Sequence, residues 1–132
     1  MYYKSVLLID DDIDDRDLFC ITVREISPEI DCKQFARVVD ASAYLENTET
    51  LPEIIFAEID IHLIDGIEFL EGIRENEKFK DIPVYIYSTP FIIKEMGNPL
   101  KEQVAGYLFK TTDFADFKRG LREILEGKPD SV

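Results

Sequence analysis

The feature that most constrains the fold of this chain is an alternation between short apolar runs and longer segments with helical periodicity. The apolar runs are rich in Val, Ile, Phe and Tyr, as in VLLI at 6–9, IIFA at 54–57 and VYIYS at 84–88. Strands that alternate with helices build βα units, and consecutive units place their strands in one parallel sheet. Five units fit the sequence, so we expect an α/β fold.

The predicted strands are short and are separated by turn residues and helical segments. They cover 6–9, 32–38, 54–59, the run from Pro83 to Ser88, and 106–109. The unbroken apolar run of the third strand predicts burial on both faces of the sheet, so this strand should be central.

The helices are predicted from their apolar spacing and their capping residues. The first carries Phe19, Thr22, Val23 and Ile26 on one face. The second is expected from Ala41 with Asp40 as its N-cap, and the third from Gly66. The last is capped by Thr112 or Asp113, turns Phe114, Phe117, Leu121, Ile124 and Leu125 inward, and ends at Gly127. Prolines at 90 and 99 predict a short or broken helix between the fourth and fifth strands.

Size and charge narrow the classes of function. With 132 residues, 45% of them hydrophobic, the chain can bury one sizeable core, so 1–132 is expected to form a single domain. A formal net charge of -13 and a pI near 4.4 oppose binding to nucleic-acid backbones or anionic lipids. We therefore expect no nucleic-acid or membrane partner. The absence of a signal-like segment or an apolar run of about 20 residues predicts a cytoplasmic protein.

The two cysteines, Cys20 and Cys32, are separated by 12 positions. They have neither a CxxC spacing nor companion histidines that would indicate a redox or zinc site. We expect both to be buried free thiols, since free cysteine behaves as a small hydrophobic residue.

Acidic side chains, a hydroxyl and a lysine are predicted at the same edge of the sheet. Asp10 and Asp11 follow the first strand, Glu58 lies near the end of the third, Ser88 ends the fourth, and Lys110 follows the fifth. Ligands of open α/β sheets bind at the carboxyl ends of the strands, so these groups can converge. Clustered carboxylate oxygens suit Mg²⁺, which we expect as the cofactor, with Lys110 as the counter-charge.

Four segments follow one another along the chain: VLLIDDD, PEIIFAEIDIHLIDG, IPVYIYST and GYLFKTT. In this order they resemble the receiver domain of bacterial two-component response regulators, and the resemblance covers nearly the whole chain. The resemblance implies a doubly wound sheet in the flavodoxin-like order 2-1-3-4-5, with helices on both faces. It implies that Asp10 and Asp11 bind the metal and that Glu58 stands in place of the phosphoacceptor aspartate. It further implies a metal contact from the backbone carbonyl of Asp60, a switch hydroxyl at Ser88 and a switch aromatic at Tyr107. Lys110 matches the family's lysine that stabilises the transferred phosphoryl group.

The sequence departs from the family pattern at three positions near this site. Glu58 replaces the aspartate, His62 replaces the usual proline, and Thr111 replaces the proline that typically follows the lysine. In the family that proline usually has a cis bond. A cis bond before a residue other than proline costs about 3–4 kcal/mol, so we expect a trans bond and a reshaped loop after Lys110.

These departures lead to our expected function, which is a receiver that is not an enzyme and that signals through protein contacts without phosphorylation. One alternative is a receiver still phosphorylated, at Asp60 or weakly at Glu58. A second is a Mg²⁺-dependent phosphatase-like hydrolase that uses Asp10 and Asp12 as a DxD pair. The expected partners are a sensor kinase, another regulator or a second copy of the chain.

The resemblance also implies where those contacts are made. The family's usual contact face suggests Phe91, Ile92, Tyr107 and Lys118 as contributors. We expect no output domain within 1–132.

Overall fold

The computed structural model describes residues 2–58, 63–89 and 103–127. Within them the elements are β1 (Ser5–Ile9), α1 (Ile13–Ile26), β2 (Asp31–Phe35), α2 (Val38–Asn47), β3 (Ile54–Glu58), α3 (Leu63–Glu75), β4 (Val84–Ser88), β5 (Gly106–Phe109) and α4 (Phe114–Glu126). The predicted segment between β4 and β5, including Phe91 and Ile92, lies largely outside these residues. None of the described helices is both long and apolar enough to pass through a membrane.

The five strands are parallel and lie in the order β2-β1-β3-β4-β5, which confirms the predicted sheet. Successive residues of a strand point to opposite faces, and the core is divided accordingly. In β1, Leu8 packs with α1 and α4, while Leu7 packs with α2 and α3. Both side chains are fully buried. Helices therefore cover both faces, as expected for a doubly wound fold.

Three predicted boundaries in the first part of the chain were wrong. Strand β2 ends at Phe35, and α2 begins at Val38 with Arg37 as its N-cap. Asp40 lies instead in the first turn of α2, where its charge complements the helix dipole. Helix α3 begins at Leu63, so Gly66 lies inside it rather than opening it. Packing against the sheet sets these helix starts, and it overrides the local preferences of single residues.

Helix α4 starts where it was predicted, but one of its apolar residues does not face the core. Asp113 is the N-cap, with its side chain accepting a hydrogen bond from the Asp116 N–H, and Gly127 is the C-cap. Phe117 and Leu121 are buried, whereas Phe114 is 43% exposed. Phe114 is the first helical residue, and it lies beside Lys110 and Thr111 rather than over the sheet.

The cysteine prediction was wrong, because Cys20 of α1 and Cys32 of β2 form a disulfide. Their Cα atoms are 5.9 Å apart, within the usual range for such a bond, and both side chains are buried. The sequence spacing does not reveal this pairing. The proximity arises because α1 packs back across the strand that follows it.

Reduction of this disulfide is expected to lower the free energy of unfolding by about 2–3 kcal/mol, as loop-closure entropy predicts for a loop of this size. Urea unfolding with and without reductant measures the difference. A Cys20→Ala/Cys32→Ala double variant should be insensitive to reductant. Alkylation of both cysteines in the unfolded, unreduced protein would disprove the bond.

Candidate functional site

The carboxyl ends of β1 and β3 bring three carboxylates together. One side-chain oxygen from each of Asp10, Asp11 and Glu58 lies within 4.8 Å of the other two. Asp10 is only 1% exposed, and its Oδ1 accepts a hydrogen bond of 2.9 Å from the Asp12 N–H. Arg16 donates from Nη1 to the Asp10 carbonyl at 2.8 Å, which holds the backbone of this loop in place.

Lys110 extends into this cluster from the end of β5. Its Nζ lies 2.7 Å from Glu58 Oε1, 3.1 Å from Asp10 Oδ2 and 3.2 Å from Asp15 Oδ2. The ammonium also lies 4.8 Å from the centroid of the Tyr87 ring, a cation–π distance. Its backbone N–H donates to the Ser88 carbonyl at 2.8 Å, which aligns the end of β5 with the end of β4.

Glu58 binds the lysine through only one of its two oxygens. Its side chain is 6% exposed, and within the described residues Oε2 is buried without a hydrogen-bond partner. A buried carboxylate oxygen without a partner loses its hydration and gains nothing in return. A hard cation bound to Oε2 would remove that penalty, so the residues present fit a divalent metal.

The excess of negative charge at the site also favours the binding of a cation. Within the described residues, three carboxylates (Asp10, Asp15 and Glu58) pair with one ammonium, and a fourth, Asp11, has an oxygen within 4.8 Å of oxygens of Asp10 and Glu58. Burial and the neighbouring Asp10 raise the pKa of Glu58 from 4.5 to about 8, although Lys110 acts in the opposite direction. Burial lowers the pKa of Lys110, but its hydrogen bonds and charge interactions with Glu58 and Asp10 outweigh burial and raise it. The cluster therefore has a high affinity for positive charge, as a proton or as a cation.

The other candidate residues lie around this centre or outside the described residues. Ser88 is fully buried at the end of β4, and Tyr107 is half-buried against the core on the α2 and α3 face. Lys118 pairs with Glu25 of α1 at 3.0 Å. Asp60 and His62 lie outside the described residues.

Sequence reasoning missed the roles of three residues at this site. Asp15, in the first turn of α1, pairs with Lys110. Asp12 caps α1, accepting hydrogen bonds from the Asp14 and Asp15 N–H groups. Tyr87 supplies the ring near the lysine. The one available signal was the position of Asp12 and Asp15 at the start of the helix after β1, because side chains at a helix start can reach back to the end of the preceding strand.

Comparisons with known proteins agree on one family. Residues 6–122 match the family described as "Response regulator receiver domain". In an alignment 134 positions long, the chain is 32% identical to the two-component response regulator ARR5 of Arabidopsis thaliana. The alignment covers 91% of this chain and 69% of that protein. It is 30% identical over 77 residues to the probable methanogenesis regulatory protein FilR2 of Methanothrix harundinacea (strain 6Ac), covering 58% of this chain. That match spans only 50% of the length of FilR2.

The fold is shared with solved receiver structures at low sequence identity. The Mn²⁺-bound form of response regulator Rcp1 superposes with a TM-score of 0.79 at 22% identity, covering 98% of this chain and 99% of that one. At this identity the similarity establishes the fold alone.

The raised pKa of Glu58 predicts a pH-dependent stability in metal-free buffer. The folded state retains a proton on Glu58 that the unfolded state loses above pH 4.5, so this group's contribution to stability is present below pH 4.5 and is lost as the pH rises to about 8. The Glu58→Gln variant lacks this titration. The compared quantity is the free energy of unfolding of Glu58→Gln minus that of the natural chain. This difference should be larger at about pH 8.5 than near pH 4, by roughly 1–3 kcal/mol.

Urea unfolding at both ends of this pH range, with chelator present, measures the gap between the two proteins. Glu71→Gln, on an exposed glutamate of α3, is the matched control and should produce no pH-dependent gap. A stability difference for Glu58→Gln that stays constant with pH would contradict the prediction.

Proposed function

Since this chain belongs to the response regulator receiver domain family of two-component signalling, we propose that it is a receiver whose signalling does not depend on phosphorylation of residue 58. In this proposal the chain acts through protein contacts and catalyses no reaction of its own. Its partner is a sensor kinase, another regulator or a second copy, and it works in the cytoplasm.

The contact between Glu58 Oε1 and Lys110 Nζ, at 2.7 Å, carries this proposal. Phosphorylation of a receiver requires a carboxylate to attack a phosphodonor in line, with a metal ion and a lysine stabilising the transferred group. The additional methylene of Glu58 moves the carboxylate by roughly an ångström, and misplacements on that scale can cost on the order of 100-fold in rate. In addition, Asp10 and Asp15 compete for the same ammonium.

The same contact supports a role for Glu58 beyond the loss of a nucleophile. A glutamate oxygen bonded to the lysine occupies part of the space where a phosphoryl oxygen would be held. We propose that this bond biases the domain toward one signalling state, in which Ser88 and Tyr107 are the residues that respond. A glutamate lacks the charge and the three oxygens of a phosphoryl group, so the bias is a population shift rather than full mimicry.

We also propose that Asp10, Asp11 and Glu58 hold Mg²⁺. The unpartnered Oε2 of Glu58 and the excess of carboxylates support this assignment, and the structurally similar Rcp1 has a Mn²⁺-bound form. When bound, the ion would supply the positive charge that Lys110 alone does not provide. The backbone carbonyl of Asp60 remains our proposed additional ligand.

The hydrolase alternative is disfavoured by the position of Asp12. Its carboxylate accepts hydrogen bonds from Asp14 N and Asp15 N at 2.9 and 3.1 Å, as the N-cap of α1. A DxD mechanism would need that side chain to turn toward the metal and leave the helix uncapped, at a cost of about 1 kcal/mol. Phosphorylation at Asp60 or Glu58 is decided by the experiment below.

Magnesium is expected to raise the melting temperature of the natural chain, because a ligand that binds only the folded state stabilises it. At a concentration 100 times the Kd, the gain is about 2.7 kcal/mol. Asp11→Asn should abolish most of the shift, since Asp11 is exposed and its loss should not disturb the core. The control is Asp17→Asn on the exposed side of α1, which should respond like the natural chain. An equal shift in Asp11→Asn would refute the metal site.

Phosphorylation is tested by incubating the protein with Mg²⁺ and a small-molecule phosphodonor, followed by intact-mass analysis. The natural chain should gain no phosphoryl group, whereas Glu58→Asp should gain one, because the shorter side chain restores the distance for in-line attack. Glu58→Gln is the control without a nucleophile. A phosphoryl group on the natural chain would overturn the proposal, and peptide mapping would then assign it to Glu58, Asp60 or another residue.

A further inference from the structure

The disulfide between Cys20 and Cys32 joins two elements that also meet at the acidic site. Arg16 lies one turn before Cys20 on α1, and Gln34 lies two residues after Cys32 on β2, so each pair shares a face of its element. Arg16 Nε donates to Gln34 Oε1 at 3.1 Å. The disulfide and this hydrogen bond are therefore two successive links between α1 and β2, and the second lies nearer to the carboxyl end of β2.

The second link continues to the backbone of Asp10. Arg16 Nη1 donates to the Asp10 carbonyl at 2.8 Å, and the Asp10 N–H donates to the Phe35 carbonyl of β2 at 3.0 Å. Asp10 is thus held by both of the elements that the disulfide joins. This connection runs entirely through residues 10–35, all of which the structure describes.

Reduction of the disulfide changes the space that the two sulfur atoms need. Bonded sulfur atoms are about 2.05 Å apart, whereas non-bonded heavy atoms approach to about 3.5–4.0 Å. Both cysteines are buried in one core cluster, and close-packed interiors have little free volume to absorb such a change. Two thiols therefore push α1 and β2 apart, and Arg16 moves with α1.

The compartment of the proposed function gives this bond a reason to change state. Thiols of cytoplasmic proteins are kept reduced, and the disulfides that do form there are typically transient and serve catalysis or redox sensing. Under the proposed function the chain works in the cytoplasm and catalyses no reaction. That leaves sensing as the role of this bond.

We propose that the Cys20–Cys32 disulfide is a redox control of the acidic site. In the oxidised chain, α1 and β2 hold the Asp10 backbone so that its carboxylate binds a cation with the other two carboxylates of the cluster. In the reduced chain α1 is displaced, the hydrogen bonds of Arg16 lengthen, and cation binding weakens. The inference goes beyond the proposed function, and its cation readout rests on the metal site proposed there.

The reductant in this scheme is a small dithiol. One of its thiolates attacks the Cys32 sulfur and forms a mixed disulfide, and Cys20 leaves as a thiolate that takes up a proton. The second thiol of the reductant then releases Cys32 as a thiol and leaves the reductant as a disulfide, so the protein gains two electrons and two protons. Cys32 is the accessible end, because it lies on the edge strand β2 and is 7% exposed, against 2% for Cys20.

The test is a Mg²⁺ titration of the oxidised chain and of the chain reduced with dithiothreitol, by isothermal titration calorimetry. Circular dichroism verifies the fold, and intact mass verifies the redox state. Reduction should weaken Mg²⁺ binding roughly tenfold or more, as is typical when the groups that orient a metal ligand are lost.

Two arginine variants locate the route of the effect. Arg16→Gln should weaken Mg²⁺ binding in the oxidised chain and should remove most of the difference between the redox forms. Arg24→Gln, on an exposed arginine in the last turn of α1, is the matched control and should retain the full difference.

Linkage supplies a second measurement that uses the natural chain alone. If the oxidised form binds Mg²⁺ roughly tenfold more tightly, saturating Mg²⁺ must shift the thiol–disulfide equilibrium toward the oxidised form by the same factor. That factor lowers the reduction potential of the two-electron couple by about 30 mV. Equilibration in glutathione redox buffers, with and without Mg²⁺, measures the shift.

Hydrogen exchange in chelator tests the same connection without a metal. Amide hydrogens of residues 10–17 should exchange faster in the reduced chain, because this segment contains Asp10 and the start of α1. The first turn of α4, another helix start with an aspartate N-cap, is the internal control and should change little, since helix starts exchange by local opening.

Three results would overturn the inference. They are equal, measurable Mg²⁺ affinity in the two redox forms, a redox difference that Arg16→Gln leaves intact, and equal exchange of residues 10–17 in both forms. If neither form binds Mg²⁺ but reduction still speeds exchange of residues 10–17, the control of Asp10 by the disulfide stands and the metal site of the proposed function fails.

Discussion

The interaction on which this structure depends is the sharing of one partly buried ammonium among three carboxylates from separate parts of the chain. Lys110 leaves the end of β5 and crosses above Tyr87 of β4 to reach Glu58 on β3, Asp10 after β1 and Asp15 on α1. Removing one partner from a buried charge cluster typically costs about 3–5 kcal/mol, because the remaining charges stay desolvated and uncompensated. The lysine thus links the edge strand β5 to the inner strands β1 and β3 at the carboxyl ends of the strands.

The sheet was predictable because each strand has a strong apolar pattern and the order of elements limits the topology. The same apolar pattern shows where each strand ends. The sequence could therefore place four side chains at the carboxyl ends of the strands, namely Asp10, Glu58, Ser88 and Lys110. Residues whose roles depend on how helices pack were not predictable. Asp15 and the Cys20–Cys32 pair both belong to α1, and their partners are decided by where that helix rests on the sheet. For Asp15 the one local signal is its place at the start of the helix after β1, and the spacing of the two cysteines carries no signal of their pairing.

Glutamate at residue 58 changes the charge and hydrogen bonding of the site more than it changes the reactive group. It retains a carboxylate, but the longer side chain reaches Lys110 with one oxygen and leaves the other buried beside Asp10. Such an arrangement is costly for stability, because a poorly solvated place beside Asp10 forces Glu58 to keep a proton that it would lose in water, or to be paired with a cation. Sites that retain an unfavourable arrangement of this kind are typically functional.

The disulfide between α1 and β2 has a consequence for how copies of this chain could associate. Proteins sometimes dimerise by exchanging an identical element, and the exchange requires the connecting loop to open. The covalent bond joins Cys20 to Cys32 across the loop from Ser27 to Ile30, so that loop cannot act as a hinge in the oxidised protein. Any exchange must therefore carry α1 and β2 together as one unit, or begin elsewhere in the chain. Unless that whole unit leaves, Asp12 and Asp15 of α1 stay beside β1 of the same copy.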